Sequence, residues 1–327
     1  MAAATFYSEK SANQRNSLFL MLIVIVILAA LGGAIGYALT GTRAGAIGAI
    51  VLAVTIGSIT SIGSYFSGDK IVLAASSAQP VTEEQAPQLY NVIRELTVAA
   101  GIPMPAVYII QDDAMNAFAT GRDPDHSSVA ITSGLLEVMD REELQGVLGH
   151  ELSHVRNFDI RFSLLVGVLV GSVALLSGFF LRYTFWFGGG RRSSGNNDSG
   201  GGALQLVIFA FAIVLAILAP IFTKLVQLAV SRQREYLADA SSVELTRNPH
   251  GLERALARLA GDTTVMKEAN PATQHLYFHN PLMKLSDSGS SLFSTHPPLV
   301  DRINRLRQLT GEAPLPPAEA SSIGSAS

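Results

Sequence analysis

Four long stretches without one charged side chain constrain this sequence more than any other feature. Residues 16–42 carry no charge, and 18–39 within them are almost wholly apolar; 44–68 are uncharged too. A third stretch, 162–181, lies between Arg161 and Arg182, and a fourth, 203–222, ends just before Lys224. A helix needs about 20 residues to cross about 30 Å of hydrocarbon, so each stretch is long enough. Gly- and Ala-rich runs can also be buried helices of a large soluble protein, but four in 327 residues favour membrane spans at about 17–39, 44–66, 162–181 and 203–223. The first apolar run is too long for a secretory signal peptide, and a second follows it directly.

The spans divide the chain. Residues 1–68 form an N-terminal segment and a transmembrane hairpin; 69–161 are the first part of a polar domain; 162–223 form a second hairpin; 224–310 complete the polar domain. Residues 188–202, rich in Gly, Ser and Asn, read as a flexible loop, and 311–327, rich in Pro, Ala and Ser, as a disordered tail. Tyr183, Phe185, Trp186 and Phe187 resemble an interfacial aromatic belt, and Pro220 is placed to kink the fourth span. With two hairpins, both polar segments and both termini share one side. That side carries Lys10, Arg15, Lys70, Arg156, Arg161, Lys224, Arg232 and Arg234, against Arg43, Arg182, Arg191 and Arg192 opposite, so it is expected to be cytoplasmic. A net charge of −3 gives no basic footprint for nucleic acid. With no cysteine, disulfides and thiol catalysis are impossible.

The chemistry concentrates at His150-Glu151-Leu152-Ser153-His154, an H-E-x-x-H motif. Asp140 and Glu143 form a helix-start signal, and Leu144, Val147 and Leu148 follow at helical spacing, so the motif is predicted on a helix. There His150 and His154 lie one turn apart on one face and can reach a single ion. Neutral imidazoles suit Zn²⁺. Glu151 is turned by about a hundred degrees around the helix, where it can face water as a general base.

A catalytic zinc needs a third protein ligand and one open position. The extension that would supply it from the same segment needs Gly at 157 and His at 160, but these are Asn157 and Ile160. Glu235, in Arg234-Glu235-Tyr236-Leu237-Ala238-Asp239, is the best candidate, with Asp239 one turn on to accept a hydrogen bond from a ligand histidine. Spacing alone leaves both carboxylates equally open to a solvated role beside Arg232 or Arg234. Asp159 is a second candidate for orienting the motif helix. His296, before Pro297 and Pro298, can hydrogen-bond a tetrahedral oxyanion, although its setting fits a structural loop better. His126, His250, His275 and His279 read as surface residues. Since the third span begins 8 residues after His154 and the fourth ends 13 before Glu235, about 20 Å of helix, the site is expected close to the membrane surface.

Taken together, Asn116-Ala117-Phe118-Ala119-Thr120-Gly121, the 150–154 motif followed by Asn157 and Asp159, the Glu235–Asp239 block, and His296-Pro297-Pro298 with Arg302 resemble the HtpX family of membrane-bound zinc metallopeptidases, relatives of the CAAX prenyl endopeptidases. The resemblance covers about residues 15–310. It implies a mainly α protein: four transmembrane helices with a cytoplasmic α+β, gluzincin-like metallopeptidase domain in a bacterial inner membrane. It further implies that His150, His154 and Glu235 bind one Zn²⁺ per subunit, with Glu151 as general base and acid. The partners it implies are protein substrates, foremost damaged or misassembled membrane proteins. In such peptidases an extended substrate pairs with an edge strand beside the zinc, and Asn116, Ala117, Phe118 and Ala119 fit that place; the residues alone fit a turn between two strands as well.

Three other readings compete. A metal-binding membrane protein such as a transporter needs ligands inside its spans, but all seven histidines lie outside them. A catalytically inactive scaffold has no need of Glu151. An intramembrane protease fails because Asp140–Arg161 is charged.

Overall fold

A computed structural model describes residues 42–165, 232–262, 264–267, 276–278 and 297–320, together with seven single positions between 19 and 37. The expected fourth span, most of the first and third, the loop 188–202, His275, His279 and His296 lie outside the described residues.

Helix α1 (Arg43–Ala75) starts at Thr42, whose Oγ1 accepts from Gly45 N at 3.1 Å. It carries the second uncharged stretch and continues beyond it, so the boundary expected at 68/69 falls inside one helix. Along it Ile47, Val51, Leu52, Ile59, Ile62 and Phe66 are each more than half exposed. Among the described residues no helix is long and apolar enough to cross a membrane.

After α1 come β1 (Gln79–Pro80), α2 (Pro87–Ala100), β2 (Ala106–Ile110), β3 (Ala117–Asp123), β4 (His126–Thr132), α3 (Ser133–Val138) and α4 (Arg141–Arg156). Then follow α5 (Arg232–Thr246), α6 (Pro249–Ala260) and α7 (Leu299–Thr310). Among the described residues the domain is mostly helical with one small sheet. Strand order is β1-β2-β4-β3, with β2 and β4 parallel and the other pairs antiparallel. β3 is therefore an edge.

Alternation along the strands sends side chains to two cores. Val107, Ala117, Ala119, Val129 and Ile131 face a helical layer of α2, α4, α6 and α7. Ile110, Phe118 and Ala130 face the end of α1 through Val72 and Leu73, together with Leu164, Leu276 and Tyr277. Fully burying a side chain such as Phe118 contributes roughly 1.5–3 kcal/mol. Residues 311–320 depart from the disordered tail expected there. Leu315 N donates to Asn304 Oδ1 at 2.8 Å, Arg307 Nε donates to Ala313 O at 2.7 Å, and 317–320 are helical. Leu315 is held because it covers apolar surface of the helical layer, which its neighbouring prolines and alanines disguise in the sequence.

Candidate metal centre

The site is built on α4. Its first turn carries a complete capping box: Asp140 Oδ1 accepts from Glu143 N at 2.9 Å, and Glu143 Oε2 accepts from Asp140 N at 3.0 Å. Arg258 of α6 donates through Nε to both oxygens of the buried Glu143, at 2.8 and 2.9 Å. Glycines then let neighbouring helices approach closely. A Cβ on Gly146 would stand 2.6 Å from Leu252 N, and one on Gly149 2.8 Å from Ser242 Oγ. Through this second contact α5 sits tightly against α4, and Ser242 Oγ donates to Gly146 O at 2.6 Å.

One turn further on, His150 and His154 turn their Nε2 atoms to within 3.2 Å of each other. From α5, Glu235 brings Oε2 to 3.5 Å from His150 Nε2 and Oε1 to 3.6 Å from His154 Nε2. The other ring nitrogens are held from outside: His150 Nδ1 lies 2.9 Å from Asp239 Oδ1, and His154 Nδ1 2.9 Å from Asp159 Oδ2. Asp239 in turn accepts two hydrogen bonds from Arg302 of α7, a side chain with no exposed surface. Each imidazole thus has a fixed orientation, with one ring nitrogen against a carboxylate and the other toward the shared centre.

Electrostatics follow from this packing. Burial opposes charge on His150, but the Asp239 and Glu235 carboxylates outweigh it and hold its pKa above the usual value. His154 is raised in the same way, by Asp159 and Glu235 against burial. Burial would raise Asp239, yet the Arg302 guanidinium and the bond to His150 hold it low. Burial pushes Glu151 up to about 8, with Glu235 adding to the rise while His154 opposes it. A cation held by these side chains would oppose that rise by favouring the charged form of Glu151.

Two imidazoles and one carboxylate, within 4.8 Å of one another, make a donor set that could hold a metal ion, of the kind that suits a catalytic divalent cation. Among the described residues one other group gathers, His250 with Glu253 and Glu312, but it lies at the surface, with His250 about half exposed and the two carboxylates partly so. The two ring nitrogens of His250 face different carboxylates, and Arg307 lies 3.0 Å from Glu253 and 3.7 Å from Glu312. That group is a network of surface ion pairs.

The strand residues are placed less simply. Ala119 N donates to Glu151 Oε2 at 2.9 Å, and Ala117 O accepts from Phe278 N at 2.8 Å, so two of the outward groups of the β3 edge are engaged by these side-chain and main-chain partners. Phe118 turns its side chain away into the second core, 4.9 Å from the Tyr277 ring. Asn116 is buried; its Oδ1 accepts from Ala117 N at 3.1 Å. Two site residues give no local signal in the sequence. Phe278 sets its ring 4.8 Å from that of His150, and Arg302 lies 4.8 Å above the Phe278 ring. Only the recurrence of Arg302 beside His296-Pro297-Pro298 in the family pattern points toward it.

Residues 83–310 match the model of peptidase family M48. Over 303 residues the chain is 45% identical to a "Protease HtpX homolog" of Streptococcus uberis, covering 93% of this chain and 99% of that protein. It is 46% identical over 304 residues to one of Streptococcus mutans, with the same two coverages. A crystal structure of S. mikatae Ste24p aligns with 90% of this chain and 66% of that one, at 17% identity and a TM-score of 0.46.

Proposed function

We propose that this chain, which belongs to peptidase family M48 and is a metallopeptidase, is an integral-membrane zinc endopeptidase acting on damaged or misassembled membrane proteins. The convergence of His150, His154 and Glu235 carries the reading. We assign these three as the protein ligands of one Zn²⁺. Bound there, zinc supplies Lewis-acid polarisation of the scissile carbonyl and lowers the pKa of water to roughly 7.

The remaining work falls to the chain's own groups. Glu151, buried beside the two histidines, accepts the proton of the attacking water and delivers it to the leaving amine nitrogen. The Ala119 N–H bond to Oε2 holds that carboxyl in place. Asp239 and Asp159 keep the imidazoles in the ligating tautomer. The β3 edge is the element against which an extended substrate would align, with Ala117 O as its acceptor; Phe278 N–H must first leave that oxygen. We keep His296 as the donor proposed for the oxyanion.

The four uncharged stretches, the exposed apolar side chains of α1 and the relatives named as HtpX proteases support placement in a bacterial plasma membrane, with the site and both termini on the cytoplasmic side. Gly33 of the first stretch lies against Ile50 of the second, as a hairpin of the two requires: an added Cβ would be 3.0 Å from Ile50 Cδ1.

Zinc content and casein cleavage of the purified full-length protein, compared with its Glu235→Ala variant, test the assignment. Loss of zinc together with cleavage is expected. Zinc held at full stoichiometry in the variant would refute the third ligand.

A further inference from the structure

Where α1 meets the β3–β4 hairpin, two arginines lie over aromatic rings outside the metal centre. Tyr65 and Phe66 close the second uncharged stretch, with ring centroids 5.1 Å apart at 87°. Arg122, near the end of β3, puts its guanidinium carbon 5.1 Å from the Phe66 centroid. Arg161, just before the third stretch, lies 5.8 Å from Tyr65 and 5.0 Å from Phe158. Phe158 reaches that position through a left-handed φ of 62° just past the end of α4. Arg161 Nε also donates to Arg122 O, which holds the two side chains at one corner. Asp123 is the acidic group closest to Arg122, 3.6 Å from its Nε. Among the described residues no hydrogen bond is made by the terminal nitrogens of either arginine.

Below this corner runs an exposed apolar ridge. Ile59, Ile62 and Phe66 follow one another at i, i+3 and i+7 on α1, with 65%, 58% and 55% of their surface exposed. A guanidinium stacked by its face on a ring keeps its edge N–H groups free, and those fit phosphate oxygens two at a time. We propose that the corner binds the headgroup of an anionic phospholipid, its phosphate between Arg122 and Arg161 and an acyl chain along Ile59, Ile62 and Phe66. This rests on the membrane-spanning reading above.

The ridge decides between sources of phosphate, because a free ion would use none of it. The second guanidinium decides between headgroups: the ammonium of a zwitterionic lipid would sit beside like charge. Aromatic residues mark the headgroup level of a bilayer, and basic pockets there on the cytoplasmic side bind anionic lipids. The site also ties β3, the strand that supports Glu151 through Ala119, to the lipid surface at Arg122, about 10 Å along the strand.

The test uses the full-length protein in bilayer discs of phosphatidylcholine containing trace spin-labelled phosphatidylglycerol or spin-labelled phosphatidylcholine. The wild type should immobilise the phosphatidylglycerol probe in preference, by about fivefold for each arginine engaged. Arg122→Gln/Arg161→Gln should abolish the preference, with zinc content and casein cleavage retained. If the double variant does not fold, Arg122→Gln alone keeps the backbone carbonyl that holds Arg161 and should lose part of the preference. Inorganic phosphate should leave the preference intact. An unchanged preference in the folded variants, or its elimination by inorganic phosphate, overturns the proposal. Carbonate washing of native membranes reads the underlying placement separately: release of the protein would sink the membrane reading itself.

Discussion

Arg302 holds Asp239 with two hydrogen bonds, Nε to Oδ2 at 2.9 Å and Nη2 to Oδ1 at 2.6 Å. The same Oδ1 stands 2.9 Å from His150 Nδ1, so one carboxylate joins a buried cation to a proposed metal ligand. Charge alone does not explain the arrangement, because the fork of the guanidinium fixes the plane of the carboxylate and therefore the plane of the imidazole.

Asp239→Asn should keep the fold and lower zinc affinity by about 10–100-fold, measured by competition with a chelator. Arg302→Met is expected to act differently. It strands a buried carboxylate, which costs about 3–5 kcal/mol and should appear as a large drop in Tm. If Asp239→Asn binds zinc as tightly as the wild type, the orienting role of Asp239 is wrong.

Close helix packing yields a second prediction. At Gly146 a methyl group would meet the backbone of Leu252, and backbone cannot swing aside. Gly146→Ala should therefore cost about 1–3 kcal/mol or more through overpacking and displaced helices. At Gly48 of α1 an added methyl group would have nothing within 4 Å, so Gly48→Ala should leave Tm unchanged or slightly higher. Equal Tm values for both variants would contradict the packing described for α4 and α6.

Asp140 at the start of α4 should be worth about 1 kcal/mol as an N-cap, lost in Asp140→Ala. The Glu143 backbone N–H holds the Asp140 carboxyl below its ordinary pKa. A group lowered by folding stabilises above its unfolded pKa, and that contribution disappears as pH falls through the folded value. The Tm difference between wild type and Asp140→Ala should thus be full at neutral pH and narrow only in strong acid. A difference that grows on acidification would contradict the cap.

Much of this site is legible in the sequence because its parts lie within single helices. The 140–143 box and the 150–154 spacing each need one turn of α4, and Glu235 with Asp239 one turn of α5. Asp159 is 5 residues from the histidine it faces. Long-range packing is not legible: Arg302 is 63 residues from Asp239 and 152 from His150, and no periodicity within one element reports such a pair. The parallel pairing of β2 with β4 is of the same kind, since it depends on where β3 folds back. Residues 311–320 mislead because a Pro- and Ala-rich composition says nothing about the one leucine that packs.

The proposed general base supplies the last prediction. Glu151 is only 2% exposed, and its Oε2 accepts from Ala119 N, a bond that orients the carboxyl without neutralising it. In Glu151→Gln the amide oxygen can accept the same bond, and the side-chain volume barely changes, so α4 and the three proposed ligands should stay in place. What disappears is the ability to take up and release a proton, a contribution of about 10²–10⁴ in rate. Cleavage by Glu151→Gln should fall by at least that factor, with zinc content and Tm held near the wild-type values. Casein cleavage close to the wild-type rate in a zinc-loaded Glu151→Gln protein would transfer the base to another group. Among the described residues Glu235 is then the remaining carboxylate facing both histidines directly, and it could not serve as base and ligand together.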